Sequence, residues 1–278
     1  MDHCREIPLE ANPDDLTPDY IAMLRTLPFN RLSMGIQTFN ESILKVLQRR
    51  HTARQAIEAF QNCRAAGFQN ISIDLMYGLP GETLSTWQQD LDQALLLHPE
   101  HLSAYHLIYE EDTVLWKLRE QHKVEEADED LSVSLFSTLI DRLTSEGYDH
   151  YEISNFSLPG LYSRHNSSYW TEKKYLGCAP SAHSYNGVSR QWNVASLDTY
   201  IKGISAGTPV FEIEELDLYT RYNDFVITRI RTEWGMPLSK LRDEFGEKLY
   251  DYCLRMAAPH LKQGTLELVN DILKLTRK

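Results

Sequence analysis

With 278 residues, 42% of them hydrophobic, the chain is long enough for one large domain and a small one, each with an apolar core. A net charge of −12 argues against non-specific nucleic-acid binding, which needs a basic surface, but leaves room for a small anionic ligand held by local arginines. No apolar run approaches the roughly 20 residues of a membrane span, and Met1-Asp-His-Cys-Arg-Glu6 lacks the apolar segment of a signal peptide, so the expectation is a soluble, cytoplasmic protein whose membrane association, if any, is peripheral and through partners.

The first half alternates strand and helix signals. Glu6 to Glu10 reads as a short strand ending in Ala-Asn-Pro13, and Thr17-Pro18 as a helix start, a hydroxyl cap followed by proline. Arg31 to Ile36 is a second strand, after which Asn40 can cap a helix. Thr52-Ala-Arg-Gln55 fits a capping box for a helix with Ala53, Ile57, Phe60 and Cys63 on one side, stopped by Gly67. Asn70 to Met76 is a third strand, Ser85-Thr-Trp-Gln88 fits another capping box, and His101 to Ile108 is a fourth strand. This spacing implies parallel βα units with right-handed crossovers, as a partial barrel or a small open sheet. The acidic run Glu125 to Asp130 suits the N-terminus of a helix carrying Leu131, Leu135, Leu139 and Leu143, ending at Gly147.

From Tyr148 the texture changes to a Tyr-, Ser-, Gly- and His-rich stretch that reads as a connecting lobe. From about Leu216, helices over 217–229, 237–245 and 247–263 are followed by two short strands around Asn270-Asp271, a hairpin signal. Three helices and a hairpin make a winged-helix pattern, for which the acidic balance favours a packing or partner role over DNA binding. The expected division is residues 1–147, 148–215 and 216–278.

Glu10, Gln37, Arg49 and Asp74 fall at or just past strand ends, where βα folds place their chemistry. Two carboxylates, an amide and a guanidinium suit a zwitterionic ligand, with acids taking ribose hydroxyls or an ammonium and arginine taking a carboxylate. Ordinary rim salt bridges would use the same residues, and periodicity does not say which of Arg49 and Arg50 points inward. Gly78-Leu-Pro-Gly81 lets the backbone leave the third strand sharply. His165-Asn-Ser-Ser-Tyr-Trp170 groups a histidine, an amide and two aromatic rings that a planar ligand or haem iron could use, or that could be a satisfied lobe core. His183 is similar. Cys4, Cys63, Cys178 and Cys253 are far apart, without iron–sulfur or zinc spacing, so no metal site and no catalytic residue is assigned.

Leu9-Glu-Ala-Asn-Pro13, Arg31 to Gln37, Leu47-Gln-Arg-Arg-His51, Ile73 to Gly81, His101 to Tyr105, Tyr151 to Phe156, Arg164 to Trp170 and Tyr175-Leu-Gly177 occur in an order and spacing that resemble the radical S-adenosylmethionine family around oxygen-independent coproporphyrinogen III oxidase. The HNxxYW element is most similar to its branch of HemW-type haem chaperones. The resemblance implies a radical-SAM-type α/β fold, an incomplete (β/α)6 barrel followed by a connecting α+β lobe and a partial winged helix. It implies that Glu10, Gln37, Arg49 and Asp74 hold S-adenosylmethionine, with a backbone contact from Ile108. His165, Asn166, Tyr169 and Trp170 are implied in haem handling, with haem or porphyrin and a haem-accepting protein as partners. It also implies a [4Fe–4S] cluster on a CxxxCxxC loop that this sequence does not contain. By that likeness the chain starts at the third strand of the barrel and stops inside the winged helix, the expectation being a truncated protein. Such a chain has an exposed barrel edge through which it could self-associate. The functional readings are a haem chaperone, with anaerobic decarboxylation of coproporphyrinogen III and an inactive fragment as alternatives.

Overall fold

The computed structural model describes residues 4–278, which divide between Arg164 and His165 into two units. In the first, strands β1 (Pro8–Ala11), β2 (Arg31–Gln37), β3 (Ile71–Tyr77) and β4 (His101–His106) run parallel and side by side in chain order. Helices α1 (Pro18–Leu24), α2 (Glu41–Val46), α3 (Ala53–Ala65) and α4 (Leu84–Leu96) make the connections, and α5 (Val114–Glu120) and α6 (Glu129–Ser145) follow β4. The chain then returns antiparallel as β5 (Asp149–Glu152) and β6 (Asn155–Ser157), giving the order β1-β2-β3-β4-β6-β5. The sheet is open, with β1 and β5 at its edges. Residues 149–157, which the sequence places in the connecting lobe, thus pair directly onto this sheet.

Local chemistry sets most boundaries. The hydroxyl of Thr17 accepts the Tyr20 amide, Asn40 accepts the amides of Ser42 and Ile43, and Thr52 and Gln55 form the expected reciprocal box. The α4 cap differs from the expectation: Thr83, not Ser85, accepts the Thr86 amide, and the Thr86 hydroxyl answers the Thr83 amide at 2.9 Å. The turn at Gly78–Gly81 ends two residues earlier than the sequence pattern suggests, so the helix starts at Leu84.

A sheet of parallel strands is usually apolar on both faces. Here it is not. One face carries Leu32, Met34, Ile36, Ile71, Ile73, Leu75 and Leu102, all fully buried against Phe60 and Cys63 of α3, Trp87 and Leu91 of α4, and Leu135 and Leu139 of α6. The other face alternates Glu10; Ser33, Gly35 and Gln37; Ser72 and Asp74; His101, Ser103 and Tyr105. A polar stripe on a sheet of this type is a surface kept for something other than packing.

In the second unit, α7 (Arg164–Trp170) starts at the junction. An antiparallel sheet of β7 (His183–Tyr185), β8 (Ser189–Asn193) and β9 (Phe211–Glu215) follows, with α8 (Leu197–Ser205) in the last connection. Next come α9 (Leu218–Ile230), β10 (Met236–Pro237), α10 (Leu238–Gln263), β11 (Leu266–Val269) and β12 (Ile272–Leu275). Helix α10 breaks at Gly246 (φ 80°, ψ 170°), so it is two helices, as the sequence pattern requires. Asn270 (φ 50°) and Asp271 (φ 66°) form the left-handed pair of a tight hairpin. The three helices and the sheet β10-β12-β11 form a winged-helix arrangement over a core of Phe225, Met236, Leu241, Phe245, Leu266 and Leu273. No helix among the described residues is long and apolar enough to cross a membrane.

Candidate functional site

The polar face of the first sheet gathers its groups near the C-terminal ends of β1 and β2, while Asp74, expected at a strand end, sits in the middle of β3. Asp74 lies opposite Gly35 on β2 and Ser103 on β4. Its carboxylate accepts the Ser33 hydroxyl at 3.0 Å on both oxygens, and a further hydroxyl bond comes from Ser103. Burial pushes the Asp74 carboxyl up to about 6, the two serine bonds pull it down, nearby Glu10 raises it and Arg31 lowers it. Glu10, exposed and opposite Ser33, therefore lies close enough for the two acids to feel each other.

Arg49 closes the other side. Its Nη2 donates to Asn12 Oδ1 at 2.6 Å and to the Gly35 carbonyl at 2.9 Å. Its Nε is buried and has no hydrogen-bond partner. Arg50 turns outward onto Asp14 at 2.8 Å and Asp15 at 3.1 Å, which settles which arginine enters the cleft. Gln37 adopts a left-handed backbone (φ 71°) beside an irregularity in the β2–β3 register. Its amide bends back over Gly35: a Cβ at position 35 would stand 3.0 Å from Gln37 Nε2, 3.5 Å from Arg49 Nη2 and 3.9 Å from Asn12 Oδ1. Glu10, Gln37, Arg49 and Asp74 thus lie together on the polar face of the sheet, around Gly35. Ile108, past the end of β4, is exposed, and its carbonyl accepts the Glu110 amide at 3.2 Å.

Several residues of the site have no signal in the sequence reading. Asn12 sits inside a quoted segment, but its grip on Arg49 spans 37 positions. Ser33 and Ser103 are ordinary strand residues until the register sets them beside Asp74. Below them Ser72, His101 and Tyr151 form a buried chain, with Ser72 Oγ 2.8 Å from His101 Nδ1 and His101 Nε2 2.7 Å from the Tyr151 hydroxyl. Burial holds the His101 ring well below its usual range, so it is neutral. The turn after β3 is fixed by Glu82, which accepts the amides of Gly78 (2.7 Å) and Leu79 (3.2 Å) and is pushed by burial up to about 7. Gly78 has φ 73°, and a Cβ there would meet His106 Nε2 at 2.7 Å.

The second set of predicted residues lies in the other unit. His165 and Tyr169 are exposed, one helical turn apart, with ring centroids 5.3 Å apart and the Tyr169 hydroxyl 3.2 Å from His165 Nε2. Tyr169 meets Tyr175 edge-on at 4.9 Å. Asn166 is partly buried, and Trp170 lies under the Arg231 guanidinium at 5.2 Å. His183 packs against Trp192 at 5.9 Å.

The strand-end site fits an amino-acid-bearing nucleoside. The buried, unpartnered Arg49 Nε is a donor awaiting an acceptor, and the missing side chain at Gly35 leaves space between amide and guanidinium. A [4Fe–4S] cluster does not fit the described residues. Cys4 and Cys178 are exposed, Cys63 and Cys253 are buried in separate cores, and no group of three His, Cys, Asp or Glu side chains among them could hold a metal ion.

Comparison with known proteins agrees with this layout. Residues 4–94 match the Radical SAM superfamily and residues 216–278 the HemN C-terminal domain. Heme chaperone HemW of Bacillus subtilis is 33% identical over 245 residues, covering 88% of this chain and 65% of that protein. Heme chaperone HemW of Mycobacterium tuberculosis is 32% identical over 272 residues, covering 98% of this chain and 68% of that protein. The structure of coproporphyrinogen III oxidase (HemN) from Escherichia coli superposes with a TM-score of 0.81 over 98% of this chain and 66% of that one, at 22% identity, a likeness of fold. The chain thus spans about two thirds of the length of these relatives. With a polar strand-end cleft in the first unit, a winged helix in the second and sequence identity running through both, the chain belongs to the radical S-adenosylmethionine superfamily and, within it, to the HemW family.

Proposed function

We propose that the chain is a HemW-type haem-handling protein, in which the strand-end cleft binds S-adenosylmethionine and the α7 helix handles haem for delivery to a haem protein. The observation that carries the first part is the convergence of Glu10, Gln37, Arg49 and Asp74, together with Asn12, on one patch of the polar face. Arg49 is preset by two acceptors to offer its remaining donors to the ligand carboxylate. Asp74, held by Ser33 and Ser103, supplies an acceptor for ribose hydroxyls, and Glu10 one for the ammonium. When bound, S-adenosylmethionine supplies a sulfonium centre. The described residues offer no ligand set for a cluster, and the proposed binding uses none.

The haem part rests on His165 and on identity to proteins named heme chaperones. An exposed imidazole beside Tyr169, which itself packs edge-on against Tyr175, offers a ligand nitrogen next to aromatic rings. Haem titrated into the protein should shift the Soret band, and His165→Ala should lose that shift. Equal shifts and affinities in both would remove His165 from the site. Calorimetry with S-adenosylmethionine against the Arg49→Ala variant tests the cleft. Release of CO2 from coproporphyrinogen III would instead support the oxidase reading.

A further inference from the structure

One buried carboxylate takes no part in any function described so far. Asp90, on α4 and only 4% exposed, faces away from the cleft and towards the end of β2. Its Oδ2 accepts the Thr38 hydroxyl at 2.5 Å, and its Oδ1 accepts the Phe39 amide at 2.8 Å. The Thr38 oxygen in turn accepts the Asn40 amide at 3.0 Å, and Asn40 caps α2. Every residue from 38 to 40 is therefore tied, directly or through one atom, to this acid. The residue before them is Gln37, held at φ 71°. A left-handed glutamine is strained and persists only when its surroundings over-determine it. Burial raises the Asp90 carboxyl above its ordinary value, a burden that an apolar residue at the same place would not carry.

We propose that Asp90 is a positioning residue for the strand-end site: it clamps the 38–40 turn so that Gln37 is forced back over Gly35, presenting its amide beside Arg49. It touches no ligand. Its effect passes through Thr38 and Phe39 to Gln37, across 52 positions of sequence and from the opposite side of the sheet. This role rests on the cleft binding S-adenosylmethionine, as proposed above.

The test is a double-mutant cycle on S-adenosylmethionine affinity, measured by calorimetry with the 278-residue protein. Gln37→Ala should weaken binding about tenfold, the scale of one well-placed hydrogen bond. Asp90→Leu, which removes both acceptors and keeps the branched outline, should weaken it by about the same factor. The Asp90→Leu/Gln37→Ala pair should bind no more weakly than Gln37→Ala alone, because the clamp has nothing left to position. Asp90→Asn keeps the Phe39 acceptor and can donate to Thr38, so it should return affinity to within about threefold of wild type. Thr38→Val cuts the same link from the other end and serves if Asp90→Leu does not fold; it too should be silent in the Gln37→Ala background. Losses that multiply in the double variants, or Thr38→Val binding as wild type does, would overturn the positioning role while leaving the cleft assignment intact. A wild-type protein that does not bind S-adenosylmethionine overturns the cleft assignment itself, and this role with it.

Discussion

The two sets of candidate residues are built in opposite ways. In the cleft of the first unit, each ligand-facing group is held by partners far away in sequence: Arg49 by Asn12, Asp74 by Ser33, and the Gln37 turn by Asp90. On α7 of the second unit, His165 is met by Tyr169 four residues on, in a seven-residue helix with no buried residue. The first is a preorganised site whose geometry depends on tertiary structure. The second is a local constellation, exposed and adaptable. A site held by long-range contacts suits a small ligand recognised by many polar groups, and an exposed aromatic patch suits a planar ligand that must be released again.

The contrast is sharpest where the core is thickest. Trp87 is fully buried behind β3 and donates its Nε1–H to the Leu135 carbonyl at 3.1 Å. Trp87→Ala should cost about 3–5 kcal/mol in urea unfolding followed by a probe in the first unit. A cost below about 1 kcal/mol would mean that the cleft does not rest on this core.

Next come the strained acids. The Glu82 carboxyl is raised to about 7, against an unfolded value near 4.3. The folded state therefore binds the extra proton, so its contribution is full at low pH and is lost as pH rises from about 4 to 7. Glu82→Gln keeps an acceptor for Gly78 and Leu79 and removes the titration. It should stabilise by about 1–3 kcal/mol at pH 8 and by little at pH 4, measured as the pH dependence of the melting temperature. A gain that is the same at both pH values would rule out ionisation of this side chain as the cause.

Asp74 follows the same sign for stability but the opposite one for binding. Raised to about 6, it is a full acceptor only above that value. S-adenosylmethionine affinity should rise severalfold between pH 5 and pH 7, and Asp74→Asn should flatten the rise while lowering affinity at pH 7. An unchanged slope in the variant would place the titrating group elsewhere.

The smallest effect is expected on α7. His165→Ala should change stability by less than about 0.5 kcal/mol, as for other exposed positions, even where it removes haem binding. A larger loss would make α7 a structural helix rather than a presenting one.

What could be read from the sequence divides along the same line. Caps such as Thr17, Asn40 and Thr52 act over three residues, and the pattern found them; so did the Gly246 break and the Asn270-Asp271 hairpin. The α4 cap lies two residues before the one the sequence pattern favours because Thr83-x-x-Thr86 competes with Ser85-x-x-Gln88, and only the turn geometry chooses. The choice between Arg49 and Arg50 was open because their partners are 37 and 35 positions away. Ser33, Ser103 and Asp90 carried no signal, since each acts across strands or through the sheet. Residues 149–157 read as part of a connecting lobe, not of the first sheet, because two strands of three and four residues show too little alternation to place them, and the pairing to β4 is long-range.

Position 35 illustrates how a residue can matter by what it lacks. Its backbone is ordinary strand, so the common reason for glycine does not apply, and a screen for folding alone would tolerate alanine there. Even one methyl group would stand 3.0 Å from the Gln37 amide nitrogen and press it aside by a few tenths of an ångström, while touching the Arg49 guanidinium at an ordinary 3.5 Å. The room beside that amide is therefore set by a single hydrogen atom, and Gly35→Ala should yield a well-folded protein that grips S-adenosylmethionine less tightly.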